Sequence, residues 1–430
     1  MKNPRAFYTA IVLVSALTAC APGNIQISNE KPEEQLKNSA FALSMATDYH
    51  GAGGVNNNPG GSILFYNPQS KSWSDIATGG LEKASFNFDG VNLHYYDYEN
   101  DYVLTPEGTT VAAHPDHETP RIPLSFPLRH DMPGSIALSN VGVTQENGEL
   151  LDNGELLDNE EPLSESSTHG YRWDVIINHN GQRTSHTIGH HIVGATQCED
   201  GSVWGRTSPY DTSFNSGYGP ANSPAQFLSL YPDFSPDPQG SFNYQKFNSQ
   251  SVPTICEGNT LYYFVDNFKP EITDPIGGGP KDFSGSSLIS YNTKTGEFTE
   301  KEVSGDWSTR INDEMWHSQL SSAYSYNNSL WWISGSGDVI KTDLKTAHNT
   351  TVFHLADYDT KTSPGFLEFH DKYLFQIKFH KGQDADIYRF NLDTEKMEKH
   401  STIPDIIEVE KRYQFPYDIE ITNLEKMLNL

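Results

Sequence analysis

The chain has 430 residues, with 56 Asp and Glu against 29 Lys and Arg, which gives a formal charge of −27 at pH 7. This charge excludes nucleic acid and anionic lipid as the main partner, because each phosphate group is repelled. Aromatic residues are frequent (22 Phe, 22 Tyr and 7 Trp), and 34 Gly and 25 Pro interrupt the chain at short intervals. Short aromatic and β-branched runs between such residues predict an all-β protein.

The first 20 residues have the composition of a signal peptide. Two basic residues precede the apolar run Ala6–Leu17, which is shorter than the roughly 20 residues that a membrane-spanning helix needs. The next residues, LTAC (Leu17–Cys20), resemble the lipobox of bacterial lipoproteins. That resemblance implies cleavage after Ala19, diacylation of the Cys20 thiol and a domain held at the outer side of the cell membrane. The alternative is an ordinary signal peptide whose cysteine is coincidental.

The segments after the signal peptide differ in composition. Residues 21–38 are polar and predict a flexible tether. Residues 39–412 carry the aromatic, strand-like runs and are assigned to one domain. Residues 413–430 form a C-terminal segment that begins with another strand-like run.

One short phrase recurs along the domain. An apolar strand ends in Asn or Asp, a Thr or Ser follows three residues later, and a second strand begins soon afterwards. The copies are SILFYNPQSKSWSD (Ser62–Asp75), SLISYNTKTGEFTE (Ser287–Glu300), DVIKTDLKTAHNTT (Asp338–Thr351) and DIYRFNLDTEKMEKHS (Asp386–Ser401). Asn and Asp suit such positions because they tolerate the backbone conformations of tight turns.

A second, fainter phrase places an acidic or amide turn between two aromatic strands. It occurs seven times, with turn markers at Asp48, Asp89, Glu146, Asp200, Gly258, Asn327 and Asp371. Each unit then has four strands, A to D, with a hairpin between A and B and the first phrase joining C to D. The markers are spaced by about 54 residues on average, close to the 40–50 residues of known propeller blades.

We therefore predict a β-propeller with seven four-stranded blades, because stacking around an axis buries both faces of each sheet. Six or eight blades, or two stacked β-sandwiches, are the alternatives. The resemblance is to propellers in general, since the Trp-Asp ending, the kelch glycine pair and the sialidase Asp-box are missing. Closure of the ring needs a strand from one terminus. Residues 417–422 and 24–28 both qualify, and the sequence leaves the choice open.

Two cysteines remain after lipidation of Cys20. Cys198 and Cys256 both end strand A in consecutive predicted blades. Inner strands of neighbouring blades lie close together, and an oxidising compartment favours a disulfide, so we predict a Cys198–Cys256 bond. Two buried free thiols are the alternative.

The predicted blades place the A–B and C–D turns on one side of the disc, where we expect them to be tight. The B–C loops and D–A links lie on the other side and contain almost all long insertions, which often mark a binding face. One of them holds a tandem acidic repeat, NGELLDNGELLDNEEP, read as a solvated loop. The binding-face candidates are Tyr210, Trp307, Arg310, Trp316, His317, His190 and His191.

The sequence favours a non-catalytic binding or scaffold protein, tied to the membrane only by its lipid, with a protein or envelope ligand as partner. Aromatic residues beside Gly, Ser and Asn are typical of binding loops. We expect no nucleic acid partner and no cofactor. The alternative is a metal-dependent propeller hydrolase or lyase, in which His191 and His317 meet in the axial funnel.

Overall fold

In the part of the chain that it describes, the computed structural model consists of strands and two short helices. Up to residue 144 the elements are β1 (Ile27–Ser28), α1 (Pro32–Asn38), β2 (Phe41–Ala46), β3 (Gly61–Asn67), β4 (Ser72–Thr78), β5 (Lys83–Ala84), β6 (Asn87–Phe88), β7 (Leu93–Tyr96), β8 (Asn100–Thr105), β9 (Gly108–Ala113), β10 (Arg121–Ile122), β11 (Leu124–Pro127) and β12 (Gly134–Thr144). Up to residue 302 they are β13 (Gly170–His179), β14 (Gln182–Ile188), β15 (Ile192–Gln197), β16 (Val203–Thr207), β17 (Ala225–Tyr231), β18 (Gly240–Phe242), β19 (Ile255–Glu257), β20 (Thr260–Phe268), β21 (Phe283–Asn292) and β22 (Phe298–Glu302). The remaining elements are β23 (Ser304–Gly305), β24 (Ala323–Tyr326), β25 (Ser329–Ile333), β26 (Asp338–Asp343), β27 (His348–His354), β28 (Phe366–His370), β29 (Tyr373–His380), β30 (Gln383–Asn391), β31 (Lys396–Ile403), β32 (Phe415–Glu420) and α2 (Leu424–Leu428).

The structure describes residues 27–28, 30–46, 60–79, 83–84, 86–97, 100–113, 121–122, 124–128, 134–144, 170–179, 182–190, 192–207, 225–235, 237, 239–242, 254–268, 283–306, 323–356, 358, 365–380, 383–404 and 415–430. Within these ranges neither helix is long and apolar enough to cross a membrane.

Most of the strands form seven antiparallel four-stranded blades arranged as a β-propeller. Strands β1 and β23 each add a parallel fifth strand to the outside of a blade, and β5 pairs with β10 in a separate two-stranded parallel sheet. Blade 1 contains β32, β2, β3 and β4 from the inside outwards, and blades 2 and 3 contain β6 to β9 and β11 to β14. Blades 4 to 7 follow in chain order as β15 to β18, β19 to β22, β24 to β27 and β28 to β31. The all-β class and the seven blades predicted from the sequence are confirmed.

The C-terminal segment closes the ring. Strand β32 pairs with β2 as the innermost strand of blade 1. Of the two candidates for this position, residues 417–422 therefore supply it, since the N-terminal candidate forms β1, which pairs with the outermost strand β4 in parallel. Beyond β32, the backbone N–H groups of Thr422 and Asn423 donate to the carbonyl of Ala40, which ties the chain end to blade 1.

The four copies of the first phrase share one turn geometry. The side-chain oxygen of the Asn or Asp accepts hydrogen bonds from the backbone N–H groups two and three residues later, as Asn391 does from Asp393 and Thr394. The residue four positions after the Asn or Asp then has positive φ; these residues are Lys71, Gly296, Ala347 and Glu395. The recurring sequence phrase therefore encodes the same Asx turn between strands C and D in each of these blades.

Five of the seven turn markers lie in A–B turns, and these are Asp89, Asp200, Gly258, Asn327 and Asp371. The prediction was wrong for Asp48 and Glu146. Strand β2 is strand B of blade 1, so Asp48 follows strand B instead of strand A. Strand β12 extends to Thr144 as strand B of blade 3, so Glu146 also lies after strand B, and the A–B turn is at 128–133.

Apolar side chains fill the spaces between neighbouring blades. Adjacent residues of β25 illustrate this, because successive side chains of a strand point to opposite faces. Trp332 packs towards blade 5 beside Phe264, whereas Trp331 packs towards blade 7 beside Phe390. Both tryptophans are almost fully buried. Each blade is thus sandwiched between two apolar layers, which explains why the strands are rich in aromatic residues.

The end of the predicted tether is structured. Residues 32–38 form α1, and Leu36 on this helix is buried in the cluster between blades 1 and 2. Ser39, just after the helix, exchanges a hydrogen bond with Thr422 in the chain end. The start of the domain and its end are therefore joined beside blade 1.

The two faces of the disc differ in the length of their connections. One face, called here the turn face, contains the A–B and C–D turns, most of them short. The other, called the loop face, contains the B–C and D–A connections, and its longest ones are 47–60, 145–169, 208–224, 269–282 and 307–322. The ring thus collects the insertions on one side, as the sequence predicted.

Candidate functional site

Most of the binding-face candidates lie outside the described residues. Tyr210 belongs to the B–C loop of blade 4, and Trp307, Arg310, Trp316 and His317 belong to the link between blades 5 and 6. Their assignment to connections of the loop face follows from the strands around them.

The two adjacent histidines precede the inner strand of blade 4, at the end that faces the loop side. His190 is half-buried in a bend directly before β15, and His191 lies outside the described residues. The tandem acidic repeat between β12 and β13 also lies outside them. Its predicted position between strands B and C of blade 3 agrees with the bounds of those strands.

The predicted disulfide is present. Cys198 and Cys256 are bonded, with their Cα atoms 5.0 Å apart and a sequence separation of 58. Both cysteines are buried, and they join blade 4 to blade 5 at the turn-face ends of their inner strands. A bond at this place stabilises the contact between two consecutive blades.

The inner strand of each blade has an open edge, because none of the described strands pairs with it on the axial side. Side chains of neighbouring blades satisfy some of these edge groups. Gln197 of blade 4 donates to the carbonyl of Pro127 in blade 3, and Ser325 of blade 6 donates to the carbonyl of Cys256 in blade 5. Such side-chain bonds satisfy backbone carbonyl groups that have no partner strand on this edge.

Three carboxyl groups lie on the two inner strands that meet where the ring closes. Glu368 lies on the inner strand of blade 7, and Asp418 and Glu420 lie on β32, the inner strand of blade 1. Asp418 accepts a hydrogen bond from the backbone N–H of Phe86, and Glu420 accepts one from that of Phe88, on the next inner strand. All three side chains keep some accessible surface, although they lie deep in the protein. Because they lie on inner strands, they lie near the axis of the ring.

These carboxyl groups are unusually hard to ionise. Burial raises the pKa of Asp418 to about 7, although the N–H groups of Ile419 and Phe86 oppose the rise. Burial, together with the charge of Asp418, raises the pKa of Glu368 well above its usual range. Burial and the charges of Glu368 and Asp418 do the same for Glu420. At neutral pH these three carboxyl groups therefore carry less negative charge than three ordinary carboxylates would.

The sequence analysis missed these carboxyl groups. Asp418 and Glu420 alternate with apolar residues in YDIEIT, and Glu368 does so in FLEFH, which is the ordinary pattern of a half-exposed strand. Their proximity depends on a contact between strands that ring closure creates. The only signal in the sequence was the acidic residue in each inner-strand candidate.

The described part of the chain does not contain a group of three His, Cys, Asp or Glu side chains placed to hold a metal ion. The residues named for the metal-dependent alternative, His191 and His317, lie outside that part. With a pKa of about 7, Asp418 can accept and release a proton near neutral pH, and Asp418 and Glu420 also accept hydrogen bonds from backbone N–H groups.

Comparisons with known proteins support the fold. A family model described as "YycP, beta-propeller domain" matches residues 241–422, from the end of blade 4 to the strand that closes blade 1. No curated protein matches the chain.

Solved structures match over most of the chain at very low identity. Apo AztD from Citrobacter koseri is 9% identical with a TM-score of 0.36, and the match covers 88% of each chain. The dihydro-heme d1 dehydrogenase NirN, in complex with DHE, is 9% identical with a TM-score of 0.43, covering 95% of this chain and 79% of that one. A mutant of Synechocystis ACO is 6% identical with a TM-score of 0.46, covering 91% and 93%. At these values the matches carry no information on activity.

Proposed function

We propose that this protein is a lipid-anchored, extracytoplasmic propeller that binds a protein or envelope ligand through its loop face, without catalysis. The observation that carries the proposal is the separation of connection lengths between the two faces. Long connections interrupt several blades, and all of them emerge on the same side of a rigid ring. Rigid scaffolds that present variable loops on one face are typical of recognition proteins.

The compartment is supported by two independent features. Cys20 follows a lipobox-like sequence, and Cys198 is bonded to Cys256 between two blades. Structural disulfides persist in oxidising compartments and are rare in the cytosol. The membrane contact in this proposal is the lipid on Cys20 alone.

The test of the anchor uses Cys20→Ser in the native host. Wild-type protein is expected in the membrane fraction and to incorporate labelled palmitate, whereas Cys20→Ser is expected to do neither. Membrane association of Cys20→Ser at the wild-type level would contradict the lipid anchor.

The test of the binding face compares loop-face and turn-face variants of the full-length protein. Partners recovered from envelope extract by wild-type protein are expected to be lost from Trp316→Ala and Tyr210→Ala. The matched turn-face variants are Lys345→Ala and Val91→Ala, which change exposed residues and are expected to recover the same partners. Equal recovery by all four variants would exclude the loop face as the binding surface.

A further inference from the structure

A cavity of about 420 Å³ opens on the turn face between blades 4 and 5, opposite to the loop face. This volume falls within the roughly 300–1,000 Å³ of small-molecule sites. The turns of the turn face were expected to be tight, but the C–D connection of blade 4 extends from 232 to 239. That longer connection forms one wall of the cavity, and the turns at Asp200 and Lys294 form the other.

The lining residues of this connection, 232–235 and 239, are held in place by hydrogen bonds to strand β17 and to each other. The backbone N–H of Ser235 donates to the carbonyl of Ser229, and that of Gln239 donates to the carbonyl of Phe227. The Gln239 side chain donates to the Ser235 hydroxyl at 2.8 Å and to the carbonyl of Asp237 at 3.1 Å. The cavity is therefore preorganised, which lowers the entropy lost when a ligand binds.

Aromatic rings supply the apolar part of the lining. Trp204, Tyr231 and Phe234 all border the cavity. One face of the Phe234 ring is covered by the ring of His186, with centroids 4.3 Å apart. The indole N–H of Trp204 donates to the hydroxyl of Ser202, which fixes the orientation of that ring.

Hydroxyl, amide and carboxylate groups alternate with these rings. They belong to Asp200, Ser202, Ser229, Asp233, Ser235, Gln239 and Thr293. Burial opposes the ionisation of Asp200, but hydrogen bonds from Ser202 and the ammonium of Lys294, 3.1 Å away, outweigh it and lower the pKa of that carboxyl group. Asp200 and Asp233 against Lys294 leave one net negative charge, which disfavours an anionic ligand.

We propose that this cavity binds a neutral saccharide. A sugar ring has apolar C–H faces that pack on aromatic rings, and a rim of hydroxyl groups that both donate and accept hydrogen bonds. The lining offers both features in one preorganised space. The site is separate from the loop face, so its occupancy does not depend on the function proposed above.

The experiment is saturation-transfer NMR on the full-length protein, in a detergent without a sugar headgroup. The probes are glucose, galactose, mannose, N-acetylglucosamine, maltose, cellobiose, lactose and chitobiose, with the dipeptide alanyl-alanine as the competing class. At least one sugar is expected to receive saturation, and alanyl-alanine is not. No transfer to any of these sugars at millimolar concentration, or transfer to the dipeptide alone, would overturn the proposal.

Two exposed aspartates of the same connection provide a matched pair. Asp233 lines the cavity, whereas Asp237 does not. Asp233→Ala is expected to raise the dissociation constant of the bound sugar by about tenfold or more, since hydrogen bonds to charged groups are stronger than those between neutral groups. Asp237→Ala is expected to leave the constant within about twofold of the wild type.

The aromatic part of the site is tested with Tyr231→Phe, which keeps the ring, and Tyr231→Ala, which removes it. Sugar binding is expected to survive the first change and to weaken by about tenfold in the second. Thermal unfolding of each variant separates a lost ligand contact from a lost fold. Sugar binding that is equally strong in Asp233→Ala, Asp237→Ala and Tyr231→Ala would place the sugar elsewhere and overturn the assignment.

Discussion

The junction between blades 4 and 5 and the junction where blade 1 closes the ring join inner strands by different means. The first is covalent, because Cys198 and Cys256 are bonded across it, and it also encloses a buried arginine, Arg206, over the ring of Tyr263 at 4.9 Å. At the second, β32 from the C-terminal segment is the innermost strand of blade 1, and its carboxyl groups accept hydrogen bonds from the backbone of blade 2. Consecutive blades can thus be fixed by a permanent bond, whereas the closure relies on pairing, packing and protonation.

The largest expected effect comes from opening the closure. Deletion of residues 415–430 removes β32 and the buried side chains of Ile419, Ile421 and Met427. Each lost core side chain costs about 2–5 kcal/mol, which together with the lost strand pairing exceeds the roughly 5–15 kcal/mol that stabilise a domain. We expect no cooperative thermal transition in this variant, measured by circular dichroism.

The control is deletion of residues 24–28, which removes β1 from the outside of the same blade. Its two residues pair with β4 without closing the ring, so the unfolding transition is expected to remain. A cooperative transition in the variant without residues 415–430 would contradict the role of β32 in closure.

The covalent junction is expected to have the second largest effect. Removing a bond that spans 58 residues lowers the free energy of unfolding by about 4 kcal/mol on the chain-entropy estimate. The double variant Cys198→Ala with Cys256→Ala, unfolded in urea, measures this loss. Reducing agent should destabilise the wild type by a similar amount and leave the double variant unchanged. A double variant as stable as the oxidised wild type would show that the disulfide does not contribute to the free energy of unfolding.

The carboxyl groups of the closure are expected to give a smaller, pH-dependent effect. Glu368, Asp418 and Glu420 have higher pKa values in the folded protein than in the unfolded chain. The folded protein therefore binds more protons between about pH 4 and pH 7, so this contribution to stability falls as the pH rises through that window.

Asp418→Asn and Glu368→Gln remove the repulsion while keeping acceptor oxygens. Each is expected to raise the free energy of unfolding at pH 8 by about 1–3 kcal/mol and to have a smaller effect at pH 5. The melting temperature as a function of pH measures this difference. Glu297→Gln, an exposed residue in a turn of blade 5, is the control and should change neither value. Destabilisation at pH 8 by either of the first two variants would contradict the assignment.

Turn chemistry was the part of the fold that could be predicted. The Asx turns at Asn67, Asn292, Asp343 and Asn391 need only residues within four positions of each other, and they occur where the repeated phrase placed them. Counting these turns together with the A–B turns led to the correct number of blades.

The two wrong turn markers have specific causes. The inner strand of blade 3, β11, lies in a proline-containing stretch that reads as a loop and ends at Pro127. Proline is tolerated there because an inner strand has one edge without a ladder partner. The strand before Asp48, β2, is strand B of blade 1, since the inner strand of that blade is β32 from the other end of the chain.

The candidate site was predicted only in outline. Sequence reasoning found the face with long connections, because insertions are visible as breaks between strand-like runs. It did not find the axial carboxyl groups, since Glu368 and Asp418 are 50 positions apart. Phe86, whose backbone N–H donates to Asp418, is more than 250 residues away from both. It also missed the cavity beside Asp233, because a single longer turn is not distinguishable from an irregular repeat.

The sequence alone determined the class, the number of blades and the side on which the insertions gather, because these depend on strand patterns and turn residues that are close together in the chain. The tertiary structure decided which terminus closes the ring, which carboxyl groups meet and where the turn face opens into a cavity. Those features arise from contacts between residues that are far apart in the chain, and local sequence patterns do not reveal such contacts.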